Sequence, residues 1–79
     1  MDREVILKNV EEICKDIFDF EDLKINTTTE PSDISQWDSL NHLNLISSIE
    51  EDFSIKFNFE EISSVKNIGD IINLILNKI

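Results

Sequence analysis

The chain of 79 residues contains one glycine, one proline, one cysteine and no tyrosine. Glycine and proline make the tight turns of sandwiches and barrels. Their scarcity points to an all-helical chain. One cysteine, Cys14, excludes an internal disulfide and fits a reducing, cytoplasmic setting. No apolar run approaches the length of a membrane span, and Met1-Asp2-Arg3-Glu4 does not open like a signal peptide. Basic residues are also few. Against 7 Lys+Arg stand 17 Asp+Glu, a formal net charge of −10. Such a chain cannot supply the basic face that displaces counterions from nucleic acid, and anionic membranes repel it. A basic protein partner is its natural complement. The blander role for the charge is solubility.

Hydrophobic residues make up 41% of the chain, enough for a packed fold and against wholesale disorder. The length predicts one domain over residues 1–79. Residues 3–18 read as an amphipathic helix, with Val5, Ile6, Val10, Ile13, Cys14 and Ile17 at helical spacing. Cys14 on that stripe reads as a small buried hydrophobe. Residues 19–37 form a long connection in which Thr29-Glu30-Pro31 stops any helix. Its apolar members predict an ordered loop over the bundle, with a short helical turn around Glu21–Lys24. Ile34 is expected to plug inward, and Trp37 to anchor the loop's end in the core.

A second helix is expected over 39–53. Leu40, Leu43, Ile46, Ile49 and Phe53 recur every three or four positions, with Leu45 widening the stripe. Asp38 is a good N-cap. Ser39 then falls at the first helical position, at the positive end of the dipole, where a phosphate group is favoured. Glu50-Glu51-Asp52 lies at the unfavourable end of that dipole. Residues 54–58 alternate like a strand but are too short and solitary to make a sheet. They read as an extended connector that drops Ile55 and Phe57 into the core. Asn58 caps a short helix from Phe59 to Ser63 or Ser64. A last helix over 67–78 has Asn67 as cap, with Ser64 as competitor, and Ile68, Ile71, Ile72, Ile75 and Leu76 as its stripe. Gly69 in its first turn costs helix propensity but permits a close helix contact. The fold class is therefore all-α: a small four-helix bundle, a long loop between the first two helices, and a short third helix.

Catalysis is poorly supported. The single histidine, His42, lies about one turn beyond Ser39, but a nucleophilic serine needs an elbow, a third residue and an oxyanion hole. None is visible, and His42 reads as an exposed helix residue or a partner contact. One His and one Cys far apart make no zinc set, and the acidic segments lack calcium-loop spacing. The chain is not expected to be an enzyme, and no metal site is expected.

Asp38-Ser39-Leu40, the Leu/Ile-rich helix closed by Glu50-Glu51-Asp52-Phe53, and the order of elements along the whole chain together resemble the acyl carrier proteins. The resemblance implies that a phosphopantetheinyl transferase attaches 4′-phosphopantetheine from coenzyme A to Ser39. The terminal thiol then carries acyl groups as thioesters between biosynthetic enzymes of a fatty-acid, polyketide or specialised pathway. It implies that Asp38 lies beside the Mg²⁺ of the transfer reaction. It also implies that the second helix is the docking face for loading and processing enzymes, through Leu40, Asn41, His42, Leu43, Ser47, Glu50 and Glu51. A cytoplasmic monomer is expected. Fatty-acid carriers usually have Glu five residues after the serine and often Met eight after it. Here these are Asn44 and Ser47, and Trp-Asp-Ser-Leu-Asn-His-Leu is more similar to stand-alone carriers of specialised pathways. Aminoacyl or peptidyl carriage is an alternative, and so is a non-catalytic acidic adaptor docking a basic protein.

Overall fold

The computed structural model describes residues 2–79. Among them are four α-helices, one short 3-10 helix and no strand. Helix α1 runs Arg3–Ile17, α2 Ser39–Phe53, α3 Phe59–Ser64 and α4 Ile68–Lys78, and the 3-10 turn is Pro31–Asp33. Each α-helix begins where a polar side chain satisfies an otherwise orphaned N–H. Asp2 accepts from Val5 N, Asp38 from Asn41 N, Asn58 from Glu61 N and Asn67 from Asp70 N. On α3 the Glu61 carboxylate also reaches back to the Asn58 N–H, closing a capping box. With glycine so scarce, two helix ends use other residues in the left-handed region, Asp19 (φ 51°) and Ser54 (φ 56°).

The core forms where α1 packs on α2 and α4. Ile6, Val10 and Cys14 of α1 meet Leu45, Ile46 and Ile49 of α2 and Ile68, Ile71, Ile72 and Ile75 of α4, all buried. The long loop contributes Phe18, Leu23, Ile25, Ile34 and Trp37 to the same cluster, and the connector after α2 contributes Phe57. Ile34 and Trp37 therefore point inward as the sequence indicates. Burial lifts the Cys14 thiol to about 12, with the Glu11 charge adding to the rise. It is packing and not a nucleophile.

Three expectations need correction. The helical turn expected around Glu21–Lys24 is only a two-residue turn, and the loop's helical piece lies later, at Pro31–Asp33. There proline at the first position and a reciprocal Glu30–Asp33 capping box stabilise it. The stripe of α2 is also rotated from the one expected. Leu40 and Leu43 are 69% and 55% exposed, and the inward side is Leu45, Ile46 and Ile49. Steps of three residues each fall short of a full turn by about 60°, so Leu40 and Ile49, three such steps apart, lie on opposite sides of the helix. Finally, the close approach at Gly69 is to the loop and not to another helix. Gly69 N–H donates to the Thr27 carbonyl at 2.8 Å and Ile68 N–H to the Thr29 carbonyl at 2.9 Å. The loop thus caps the start of α4.

That loop is fixed by its own polar residues. Asn26 Oδ1 accepts from Thr28 N–H and from the Thr28 and Thr29 hydroxyls, while Thr29 Oγ1 accepts from Asn26 N–H. Glu11 on α1 accepts from Ile25 N–H at 3.0 Å. Thr29, the buried polar residue of the cluster, is in this way satisfied. The loop's length serves to carry the chain from the end of α1 past the head of α4 to the start of α2.

Candidate functional site

The site is built at the N-terminus of α2. Trp37, 4% exposed, plugs the end of the loop into the core with its ring 6.0 Å from that of Phe18. Asp38 is extended (φ −102°, ψ −175°), and its Oδ1 accepts from Asn41 N–H at 2.8 Å. Its backbone carbonyl accepts from His42 N–H at 2.8 Å. These bonds fix the first turn and leave Ser39 at the first helical position, exposed. The N–H groups of Ser39 and Leu40 make no hydrogen bond within the described residues. Two free donors and the positive end of a 15-residue helix face outward where the Ser39 side chain leaves the chain.

Beside Ser39 an open groove of about 670 Å³ runs between α2 and α3. Its walls are mainly Trp37, His42 and Leu43 on one side and Phe59, Ile62 and Val65 on the other. Phe59 is 81% exposed. It was not singled out in the sequence. The available signal was a large aromatic placed directly after the Asn58 cap of a helix too short to bury it.

Of the residues expected on a docking face, Leu40, Leu43, Ser47 and Glu51 are exposed. The other three, Asn41, His42 and Glu50, are half-buried and also tied into the fold. Asn41 Nδ2 donates to the Gln36 carbonyl at 2.8 Å, bracing the loop end, and Asn41 Oδ1 accepts from Asn44. Glu50 Oε2 accepts from Phe57 N–H at 2.8 Å. That bond explains a carboxylate at the unfavourable end of the dipole, because the connector's N–H needs an acceptor there.

His42 differs most from its expected role. It is half-buried, stacked on Trp37 at 6.1 Å between ring centroids. The Trp37 indole N–H donates to His42 Nδ1 at 3.0 Å, and His42 Nε2 lies 3.3 Å from the Ile62 carbonyl oxygen. An indole N–H only donates, so Nδ1 is the acceptor and the ring proton sits on Nε2, from which it donates to Ile62. The imidazole thus has both nitrogens engaged and joins the loop, α2 and α3.

Among the described residues no three His, Cys, Asp or Glu side chains gather as metal ligands, and no helix is long and apolar enough to cross a membrane. The charge is unevenly spread. Between Ser39 and Ile49 there is no Asp, Glu, Lys or Arg, although 30% of the chain is charged.

No family model matches the chain. It is 28% identical over 75 residues to an acyl carrier protein of Coprothermobacter proteolyticus, covering 95% of this chain and 92% of that one. Its fold matches the solution structure of a holo acyl carrier protein from Geobacter metallireducens with a TM-score of 0.85 and 38% identity, covering 91% of this chain and 83% of that one. An acyl carrier protein from Thermotoga maritima shares the fold at a TM-score of 0.86 and 20% identity, over 99% of this chain and 91% of the other.

Proposed function

This chain belongs to the acyl carrier protein family, and from that premise we propose that Ser39 is where its 4′-phosphopantetheine arm is attached. One observation carries the assignment. Ser39 is the exposed hydroxyl at the first position of α2, with uncommitted N–H groups beside it. A phosphodiester formed there lies at the positive end of the helix, in reach of the Ser39 and Leu40 N–H groups. The residues present therefore fit the group. When bound, the arm supplies the thiol that holds the cargo as a thioester, a role the buried Cys14 cannot fill.

In the attachment step Ser39 Oγ forms the bond to phosphorus, coenzyme A loses 3′,5′-ADP, and the hydroxyl proton passes to a base of the transferase. What this chain contributes is presentation of the hydroxyl on a turn held by Asp38, Asn41 and Trp37. The second oxygen of the exposed Asp38 carboxylate makes no bond within the described residues and faces the modifying enzyme. The chain then serves as carrier and leaves catalysis to the enzymes it visits. Tethering holds an intermediate at high local concentration for each of them.

Docking is assigned to Leu40 and Leu43, which follow Ser39 in the first two turns of α2, with Ser47 and Glu51 further along the exposed side of the helix. With no charge from Ser39 to Ile49, contact near the arm is apolar and neutral. Steering by the surrounding acid acts at longer range. That pattern, with Asn44 and Ser47, favours a carrier of a specialised pathway over a fatty-acid housekeeping carrier.

The test is incubation of the unmodified protein with coenzyme A and a broad-specificity phosphopantetheinyl transferase, followed by intact mass. One arm is expected per chain and none on Ser39→Ala. An adduct that persists in Ser39→Ala, or no adduct on the native chain, overturns the assignment. The second outcome leaves an acidic adaptor as the better reading.

A further inference from the structure

Helix α3 has six residues and no buried side chain. A helix that short is not stable by itself, so what fastens it decides whether the groove beside Ser39 keeps its shape. Ile62 is partly buried and packs against the core, and two side chains from elsewhere bond to α3 among the described residues. Lys78 of α4 pairs with Glu61 at 3.1 Å, and His42 of α2 donates to the Ile62 carbonyl at 3.3 Å. The first is a partly exposed ion pair, worth little. The second belongs to a ring whose other nitrogen is the acceptor for Trp37, and Trp37 is the buried end of the loop carrying Asp38 and Ser39.

We propose that His42 is a positioning residue that couples the opening of the groove to the presentation of Ser39. With both nitrogens engaged, the imidazole is fixed about both of its torsions. Moving α3 away from α2 breaks the Nε2–H bond and leaves the ring free to turn. The Trp37 N–H, in a buried ring, then loses a fixed acceptor. The turn between Trp37 and the first N–H bonds of α2 is held less firmly as a result. In the other direction, a seated Trp37 orients the imidazole so that its Nε2–H points at Ile62. Groove and attachment point thus share one hydrogen-bonded ring. Neither catalysis nor partner contact accounts for that arrangement, and a merely stacked aromatic would not need it.

Nitrogen-15-labelled unmodified protein tests the coupling without any assumption about Ser39. Long-range proton–nitrogen correlations are expected to show His42 as the Nε2–H tautomer. The Trp37 indole N–H is expected to exchange slowly with solvent. His42→Phe keeps a stacked ring but removes both bonds. It should speed exchange of α3 amides about fivefold, as loss of a hydrogen bond near 1 kcal/mol implies, and should expose the Trp37 indole N–H. Amides in the middle of α1 and α4 should keep their rates. Ile62→Ala takes the partly buried side chain of α3 out of the core and loosens the helix while leaving His42 and the Ile62 carbonyl in place. It should speed exchange at the Trp37 indole in the native background and add nothing in the His42→Phe background.

A Nδ1–H tautomer overturns the proposal. So does an indole N–H unmoved by Ile62→Ala, an outcome that can be read even if His42→Phe fails to fold. The link to Ser39 rests on its being the attachment site. It predicts that His42→Phe lowers kcat/KM for arm transfer about fivefold. If native Ser39 is not modified at all, the attachment reading fails while the exchange data still judge the latch.

Discussion

Gly69 lies directly beneath the Thr27 carbonyl: its N–H donates to that oxygen at 2.8 Å, and a Cβ at position 69 would stand 2.9 Å from the same atom and 3.2 Å from Asn67 Oδ1. Alanine would gain about 1 kcal/mol of helix propensity. It would also force loop backbone away from the head of α4, an overpacking cost of about 1–3 kcal/mol, and weaken two capping bonds. Gly69→Ala is therefore expected to destabilise by about 1–2 kcal/mol. For a chain of this size each kcal/mol lowers Tm by about 4–8 °C, which thermal unfolding followed by circular dichroism measures. A variant more stable than the native chain would contradict the close approach.

Glu50 and Glu51 are adjacent but should behave differently. Glu50→Ala leaves the part-buried Phe57 N–H without its acceptor, and about 1–2 kcal/mol of stability should be lost. Glu50→Gln keeps an acceptor oxygen and should cost less than about 1 kcal/mol. Glu51 is exposed, so Glu51→Lys should leave stability within about 0.5 kcal/mol. Denaturant titration of the three variants separates the roles. Equal losses at both positions would contradict them.

Leu40 and Leu43 give a test of the rotated stripe. Leu40→Gln and Leu43→Gln should move Tm very little, because both side chains are mostly exposed. If the pair forms the docking contact, the double variant should slow arm transfer, or turnover with a cognate enzyme, about tenfold through kcat/KM. That defect should not grow with added salt, since no charge is involved. A core role would show instead as a fall in Tm of both single variants.

Acid should loosen α3 first. The Glu61 carboxyl is held below the ordinary glutamate value of 4.5, by the Asn58 N–H foremost and then by Lys78. A carboxylate depressed in the folded state contributes stability above the unfolded value and loses it as pH falls through the folded one. Amide signals of α3 should therefore broaden or shift below pH 4.5 ahead of those of α1, and Glu61→Gln should weaken that dependence. If α3 and α1 respond together over the whole acid range, Glu61 has no local role.

Cys14 acts at the other end of the scale. Its thiol is raised from 9.0 to about 12 by burial, so the folded chain keeps the proton where the unfolded chain loses it. That contribution is complete below 9.0 and is lost as pH rises towards about 12. Native protein should resist iodoacetamide at pH 8 and react fully only in denaturant. Rapid labelling of the folded chain would contradict its burial.

Much of this was legible in sequence because the signals were local. Caps at Asp38, Asn58 and Asn67 use side chains three residues from the N–H they serve, and that spacing can be read directly. Ser39's place follows from its neighbour Asp38. The phase of α2 was not legible. The helix carries apolar residues on two sides, and steps of three and of four fit Leu40 and Leu43 as well as Leu45 and Ile46. Only packing against α1 and α4 decides between them. The bonds made by His42 and Glu50 are not legible for a related reason. Their partners, Ile62 and Phe57, lie on the chain beyond α2, and no local rule brings them together. Gly69 showed that something must come close, and the loop's route over α4 showed what.

The fully buried side chains include Ile6, Ile49, Ile68, Ile71, Ile72, Ile75 and Val10. All are branched at Cβ, and in a helix such residues hold essentially one χ1 rotamer. They give up little side-chain freedom when the chain folds, which lowers the entropic cost for a protein with so little interior. The same stiffness leaves that interior few alternative shapes. Volume for a guest molecule cannot come from isoleucines changing rotamer, and must come from a displaced wall. The wall without buried side chains is α3, so the plasticity of this carrier is concentrated in six residues and the ties that hold them.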